Sequence, residues 1–358
     1  MTKHVQISSL TRFVASAFES CGVSASAARN AARALCYADA VGIDSHGVSN
    51  LEQVYISGLL GGDIDPHARA RRVRTTGAVA VLDGARGLGL ATACDATKLA
   101  VELARRCGVG AVSVRGSTHF GPAGYFALIA ARSGCIGIVM SNCGVQRIVP
   151  APGGGEPVLG TNPIAVAVPT SQQPPFILDM STTVVSTGRI RRAAAAEEAI
   201  SAGILARPGG GPEIDAAAYD HGHAQLLWLG SYTQTGAYKG FGLGLAVDLL
   251  SGLLSGGGCG PLGSVGEPAR DVGHLSVALD VSFFHDDAAD GFAARCDTLL
   301  EALLRAGGGA GSASYPGFPE ASERRKRERD GIPIGTDMQA MLERVAERCA
   351  ITTDWLYR

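Results

Sequence analysis

Charge is scarce in this chain. Of its 358 residues only 18% are Asp, Glu, Lys or Arg, against about 25% in an ordinary globular protein. The two signs nearly cancel, 31 basic against 33 acidic, so no broad positive field exists to collect phosphate backbones and no nucleic-acid partner is expected. Aromatic residues reach only 6%. No stretch approaches the roughly 18 unbroken apolar residues of a membrane span, so no membrane partner is expected either. The opening MTKHVQISSLTRFV has no apolar core of signal-peptide length. Among nine cysteines no two are spaced C-x-x-C. A zinc ribbon is therefore disfavoured, and the odd number speaks against a closed disulfide framework. The expectation is buried thiols in a reducing compartment, a cytoplasmic protein, and no metal.

Apolar residues and glycine are plentiful, at 46% and 49 residues. At roughly 150 residues per domain the length suggests about two domains. Helical spacing is expected over residues 8–40, with Ser8 or Ser9 and then Ser24 as caps, and again over 91–106, 122–133, 240–254 and 287–306. Strands are expected at 78–82, 110–114, 136–140, Ile164–Val168, Phe176–Met180 and 275–281. The first three alternate with helices, which predicts an α/β fold with a mixed or parallel sheet covered by helices. The expected organisation is a helical segment over 1–75 and a substrate-side core from 76–122 with 286–330. A cofactor-binding domain over 123–285 and a C-terminal helix over 331–358 complete it. The Gly/Pro-rich 207–223 reads as a loop, and the charge run SERRKRERD at 322–330 as a solvated helical face.

One G-x-G-x-x-G pattern occurs, at Gly258, Gly260 and Gly263. It follows a helix instead of a strand and contains Pro261, so the strand, tight turn and helix N-terminus that cradle a diphosphate are not predicted there. Five other groups carry possible chemistry. Asp44-Ser45-His46-Gly47 offers a proton-transferring histidine, with Ser45 or a distant carboxylate to fix its tautomer. Ser117-Thr118-His119-Phe120-Gly121 falls between a strand end and a helix start, where open α/β sheets bind ligands. Pro152–Gly155 and then Leu159-Gly160-Thr161-Asn162-Pro163 could bring backbone amides to an anion, with Thr161 and Asn162 as candidate substrate contacts. Asp179, at a strand end before Met180 and Ser181, could orient a histidine. Lys239, before Gly240, could meet a phosphate. Each group also has a purely structural explanation as turn, cap or packing.

With these groups in this order the chain resembles the malate/L-lactate dehydrogenase family of the non-Rossmann type. That family includes ureidoglycolate dehydrogenase, sulfolactate dehydrogenase, diketogulonate reductase and piperideine-carboxylate reductase. The stretches that carry the resemblance are DSHGV, STHFGPAGY, VPAPGGGEPVLGTNPIAVAVP, LDMSTTVVSTGRI, YKGFGLGLAVDLLSG, GHLSVALD and YPGFPE followed by GIPI. The resemblance implies a homodimeric oxidoreductase that uses NAD or NADP, without preference between the two. It would move a hydride to or from a small 2-oxo/2-hydroxy acid or a cyclic imino acid. His46 resembles the proton donor, with Ser45 and Asp179 as relay partners. His119 matches a histidine that some members use as acid/base, with Phe120 and Gly121 against the cofactor. Asp179, Met180, Ser181, Lys239, Gly240 and Gly317 resemble further cofactor contacts.

One departure bears on substrate. Asn50 stands where the family pattern has an arginine to grip the substrate carboxylate, and a neutral amide cannot replace that charge. Arg147 is the candidate to supply a cation from another loop. The stretch ARPGGGPEID after Ile204 also departs from the pattern. Two rival readings remain: a hydrolase built on Ser45, His46 and Asp179, which lacks a G-x-S-x-G elbow, and a nucleotide-binding relative without turnover.

Overall fold

The computed structural model describes residues 2–263, 271–285, 289–306 and 314–354. The chain opens with two helices, α1 (Ile7–Ser20) and α2 (Ala25–Ala40). On α1 the buried residues Leu10, Phe13, Val14, Ala17 and Phe18 recur every three or four positions, one apolar stripe facing the core. Ala28, Ala31, Ala32 and Leu35 do the same on α2. α1 begins after Gln6, so Ser8 and Ser9 lie inside its first turn, and Ser24 occupies the N-cap of α2 without a side-chain cap bond.

Seven strands then form one sheet: β1 (Arg71–Thr76), β2 (Val79–Asp83), β3 (Val109–Ser117), β4 (Cys135–Ser141), β5 (Ile164–Val168), β6 (Phe176–Met180) and β7 (Val272–Asp280). Their order is β1-β2-β3-β7-β4-β5-β6. β2 and β3 pair in parallel, and every other neighbouring pair is antiparallel. The sheet is therefore mixed, as expected, but β7 arrives from far along the chain and separates β3 from β4. Helices α3 (Gly89–Cys107) and α4 (Ala123–Ala131) are the crossovers after β2 and β3. α3 ends as its sequence predicts: Arg105 and Arg106 fill the last turn and Gly108 follows in a left-handed conformation at φ 79°.

Because β2, β3, β4 and β6 run the same way while β1, β5 and β7 run against them, one rim of the sheet collects seven segments. These are the segments after Asp83, Ser117, Ser141 and Met180 and those leading into Arg71, Ile164 and Val272. Most of the residues singled out above sit on this rim. The sheet also takes strands from both sides of residue 122, so the expected substrate-side and cofactor-binding portions share it.

A smaller apolar cluster lies beyond the rim, built from Val149, Leu159, Ile190, Leu205, Leu226, Trp228 and their neighbours. It includes α5 (Thr187–Ala195) and a three-stranded sheet of Leu205–Ala206, Pro212–Glu213 and Gln225–Leu226. The segment 207–223 is thus not merely a loop: it contributes a strand and a helical turn at Ala217–Asp220. Next comes α6 (Ala237–Ser251), then α7 (Ala289–Ala306), α8 (Phe318–Asp330) and α9 (Thr336–Cys349). The helices expected over 287–306 and 331–358 each extend at one end outside the described residues. The chain's two ends are tied together, Lys3–Val5 pairing antiparallel with Ile332–Ile334.

The charge run on α8 corrects an expectation. Arg327 is only 12% exposed. Its guanidinium reaches Glu323, Asp44 at 3.3 Å and the backbone carbonyl of Asp39. This part of the helix is folded onto the end of α2, so the charges there brace the Asp44 loop and are not all solvated.

Candidate active site

Two loops from opposite ends of the first half of the chain meet above the rim. His46 ends a short 3-10 turn, Asp44–His46, placed by Gly47 against the buried carboxylate of Asp39. Asp39 accepts from Val48 N–H at 2.7 Å, and loss of solvent pushes its carboxyl up to about 7. His119 follows β3. Its loop is held by Thr118, whose hydroxyl accepts from Gly89 N–H at 2.9 Å and donates to Gly87 O at 3.0 Å. A Cβ on Gly89 would stand 2.1 Å from Thr118 O, so only glycine lets α3 begin this close to the loop. The result is that the His46 and His119 rings stack with centroids 6.0 Å apart and planes 21° from parallel.

Each imidazole is oriented by a hydroxyl at Nδ1. Ser45 Oγ lies 2.9 Å from His46 Nδ1. Tyr55 Oη lies 2.8 Å from His119 Nδ1. Tyr55 is fully buried, and burial raises its phenol well above the ordinary value, so it keeps its proton at neutral pH. It sits in Leu51–Ile56, a π-helical segment of the kind that recurs at functional sites. Burial, aided by the positive charge of Arg192, lowers His46 to about 4, which leaves it neutral near pH 7.

The remaining expected residues divide. Asp179 does not orient His46: its carboxylate accepts from Gly124 N–H at the start of α4, at 2.8 Å, and Ser45 already occupies His46 Nδ1. This arrangement removes the hydrolase triad, which needs carboxylate, imidazole and serine in one line. Loss of solvent raises Asp179 to about 6, against the pull of the Gly124 bond.

Residues 5–343 match the family model described as malate/L-lactate dehydrogenase. The chain belongs to the malate/L-lactate dehydrogenase family. It is 42% identical over 253 residues to a malate dehydrogenase of Pyrococcus abyssi, covering 70% of this chain and 68% of that one. A malate dehydrogenase structure from Entamoeba histolytica superposes at TM-score 0.91 with 29% identity, covering 98% of this chain and 99% of that one. Delta1-piperideine-2-carboxylate reductase from Pseudomonas syringae pvar. tomato superposes at 0.82 with 27% identity, covering 97% and 100%. The chain is thus an oxidoreductase with the mixed α/β architecture of these dehydrogenases.

Within this dehydrogenase fold several expected contacts prove to be internal. Phe120 is buried, stacked at 4.7 Å on His274 and at 5.2 Å on Phe126. Its neighbour Gly121 turns the chain at φ 77°. Asn162 is fully buried and donates to Gly244 O at 2.9 Å and Asp248 at 3.3 Å, pinning α6. Thr161 accepts both the amide and the hydroxyl of Thr182 through its carbonyl, and Ser181 donates to Thr183 O. Met180 pairs with Ile164 at the end of β6. Arg147 is spent on the carbonyls of Gly260 and Pro261 at 3.2 and 3.3 Å, and Asn50 donates its amide to Ser45 O at 2.9 Å. Those two carbonyls belong to the G-x-G-x-x-G stretch, which forms a 3-10 turn, Gly260–Leu262, as the misplaced Pro261 foretold.

Lys239 stands near the start of α6 with its ammonium 5.8 Å from the Tyr238 ring. Gly240 lets that helix touch Leu229, whose carbonyl would lie 2.4 Å from an added Cβ. Gly317 packs so closely that a Cβ would meet Pro175 O at 2.5 Å. It borders a cavity of about 300 Å³ lined by Tyr37, Arg132, Ile177, Gly317, Arg324 and others.

Two participants escaped the sequence reading. Tyr55 is nine residues after His46 in an apolar run and shows no motif. His274 lies on β7, fully buried, between Ser141 and Ser117 hydroxyls at 2.9 Å each. A histidine within an otherwise apolar strand, GHLSVALD, was the available signal.

Proposed function

We propose that this chain is a nicotinamide-dependent dehydrogenase that interconverts a 2-oxo and a 2-hydroxy acid, with a histidine carrying the proton. The observation that supports it most is the stacked His46–His119 pair on the ligand-binding rim of the sheet. A nicotinamide dinucleotide, when bound, supplies or accepts the hydride.

The donor set suits such a group. The cavity at Gly317 has an apolar floor from Ile177 and Leu128 and two guanidinium groups, Arg132 and Arg324, which fits a flat base with an anionic tail. Tyr37 lines this cavity and feels the charge of Asp179 on β6. Gly317, Ile177, Arg132 and Arg324 would hold one half of the dinucleotide there.

The chain's own residues then divide the proton work. Tyr55, remaining protonated, accepts from His119 Nδ1–H through its oxygen and so leaves Nε2 as the nitrogen that exchanges the proton. As the imidazolium, His119 gives its Nε2 proton to the substrate oxygen on reduction and ends neutral, and as the neutral ring it takes that proton back on oxidation. His46 stays neutral, oriented by Ser45, and holds the same oxygen by a hydrogen bond. This assigns the transfer to His119 and the holding to His46, the reverse of the order the family resemblance implied, because Tyr55 backs only the former.

We also propose a cytoplasmic homodimer. All nine cysteines are free thiols. On α6 and the turn after it Leu245, Leu249, Leu253 and Leu254 are exposed. The stretch Ala237–Ser255 is long and apolar enough to cross a membrane, but it carries buried Asp248, bonded to Asn162 and Cys259. A second copy is the cover we assign to its outer face.

A second reading, reduction of a cyclic imino acid, is favoured by the similarity to the piperideine-carboxylate reductase. One assay separates the readings. Purified protein with NADH or NADPH is offered oxaloacetate, pyruvate and Δ1-piperideine-2-carboxylate, and loss of reduced-nicotinamide absorbance is followed. Turnover of an oxo acid supports the main reading, turnover of the imine alone supports the second, and no turnover with either nucleotide overturns both.

A further inference from the structure

A 2-oxo acid is an anion, and a site that binds it needs a positive charge near the reacting carbon. Of the two residues considered for this, Asn50 is neutral with its amide on Ser45 O, and Arg147 is bound to carbonyls at 260 and 261. The charge has to come from another element. α5 is that element. Its first turn lies against the histidine loop: a Cβ built on Gly188 would stand 3.4 Å from Ser45 O and 3.5 Å from Ser45 Cβ.

Residues 188 and 192 share one face of the helix, and helical side chains lean toward the N-terminus. Arg192 therefore extends back over Gly188, where the missing side chain leaves room, toward Ser45 and His46. Its Nη1 is 4.0 Å from Asp44 Oδ2. That carboxylate is already paired with Arg327 at 3.3 Å on its other oxygen. Arg192 is thus held at the outer limit of an ion pair, about half exposed, and its planar fork remains available to a second anion. Arg192 also borders a cavity of about 670 Å³ beside α5, lined by Arg189, Glu198, Ser201 and Asp337 among others. Arg191, by contrast, points away and pairs with Asp220 at 3.1 Å.

We propose that Arg192 binds the carboxylate of the 2-oxo acid substrate and sets the preference of this chain for acids over neutral carbonyl compounds. The assignment rests on the dehydrogenase reading above. Arg192 is a binding and specificity residue: it fixes the acid end while the two imidazoles act on the oxo group.

The test compares the full-length chain with Arg192→Gln and Arg192→Lys, using oxaloacetate, pyruvate and the neutral pyruvamide. Far-UV circular dichroism and Tm verify folding, which an exposed position should leave intact. We expect Arg192→Gln to raise KM for the two acids by about tenfold or more, with most of the loss in KM instead of kcat. It should also erase the preference of pyruvate over pyruvamide. Arg192→Lys should recover part of both. If the unsubstituted chain turns over an acid but Arg192→Gln keeps its KM and its preference for pyruvate over pyruvamide, the assignment to Arg192 is wrong while the dehydrogenase reading survives. If the unsubstituted chain reduces no 2-oxo acid, both fall together.

Discussion

Tyr55 and His119 are joined by a 2.8 Å hydrogen bond between the phenol oxygen and Nδ1, at a point where the phenol is out of reach of solvent. The pair converts a packing residue into a tautomer selector. Replacing Tyr55 with Phe keeps the ring that packs edge-on to Phe18 at 6.1 Å and removes only the oxygen. The bond is of the size that contributes about 1 kcal/mol, so a modest fall in Tm is expected. kcat should drop by roughly tenfold, with a shifted pH profile and little change in KM. A variant with native kcat and pH profile would remove Tyr55 from the proton path.

His274 gives a stability prediction with a definite sign. Burial holds its folded-state value down to about 3, below the roughly 6.5 of an unfolded histidine. As pH falls below 6.5 the unfolded chain takes up a proton that the native state refuses, so this contribution is complete above 6.5 and is lost on acidification. Asp39, raised to about 7, acts oppositely: its native proton favours folding at low pH and is lost as pH rises toward 7. The wild-type curve mixes the two. Comparing wild type with His274→Gln in urea unfolding isolates the histidine. The gap in favour of wild type at pH 7.5 should narrow by about 1.4 kcal/mol per unit below pH 6.5. A gap independent of pH would contradict the buried neutral imidazole.

Gly124→Ala tests how Asp179 is held. The new Cβ would fall 2.8 Å from Asp179 Oδ2, closer than real Cβ contacts allow, and a tight 3.1 Å from Ile177 Cγ2. The carboxylate must leave the Gly124 amide, which costs roughly 1–3 kcal/mol for an unsatisfied buried group. Thermal unfolding should show a lowered Tm, and affinity for the reduced nucleotide should weaken. Unchanged values for both would show that β6 and α4 can part freely.

The outer face of α6 offers a solution test. Leu254 is 61% exposed and Leu249 45%, and a charge at either position would be solvated in a monomer but buried against a second copy. Light scattering should find a dimer for the wild type and monomers for Leu254→Glu with Leu249→Glu. A wild-type monomer would refute the homodimer.

Much of the fold was legible because period and punctuation are local. The strands at Ile164–Val168 and Phe176–Met180 have the expected limits, since each is a short apolar run closed by proline or polar residues. The end of α3 is set by two arginines and a glycine. The insertion of β7 between β3 and β4 was not legible, because its pairing depends on residues more than 130 positions away. The site divides in the same way. Both histidines announce themselves on polar, glycine-flanked loops. Tyr55 does not, since its role arises only when a π-helical turn meets a distant loop.

The sequence alone determined that this chain folds as a mixed α/β protein, which two polar loops present histidines, and that the G-x-G-x-x-G stretch does not lead from a strand into a helix. Those properties depend on spacing within a few residues, where backbone conformation is decided. The tertiary structure decided which hydroxyl serves which imidazole, that Asp179 is bonded to the start of α4, that Asn162 and Arg147 are bound internally, and that Arg192 stands beside Asp44 of the His46 loop. Hydrogen bonds and charges act over a few ångströms of space whatever the separation along the chain, so only the folded arrangement could choose among them.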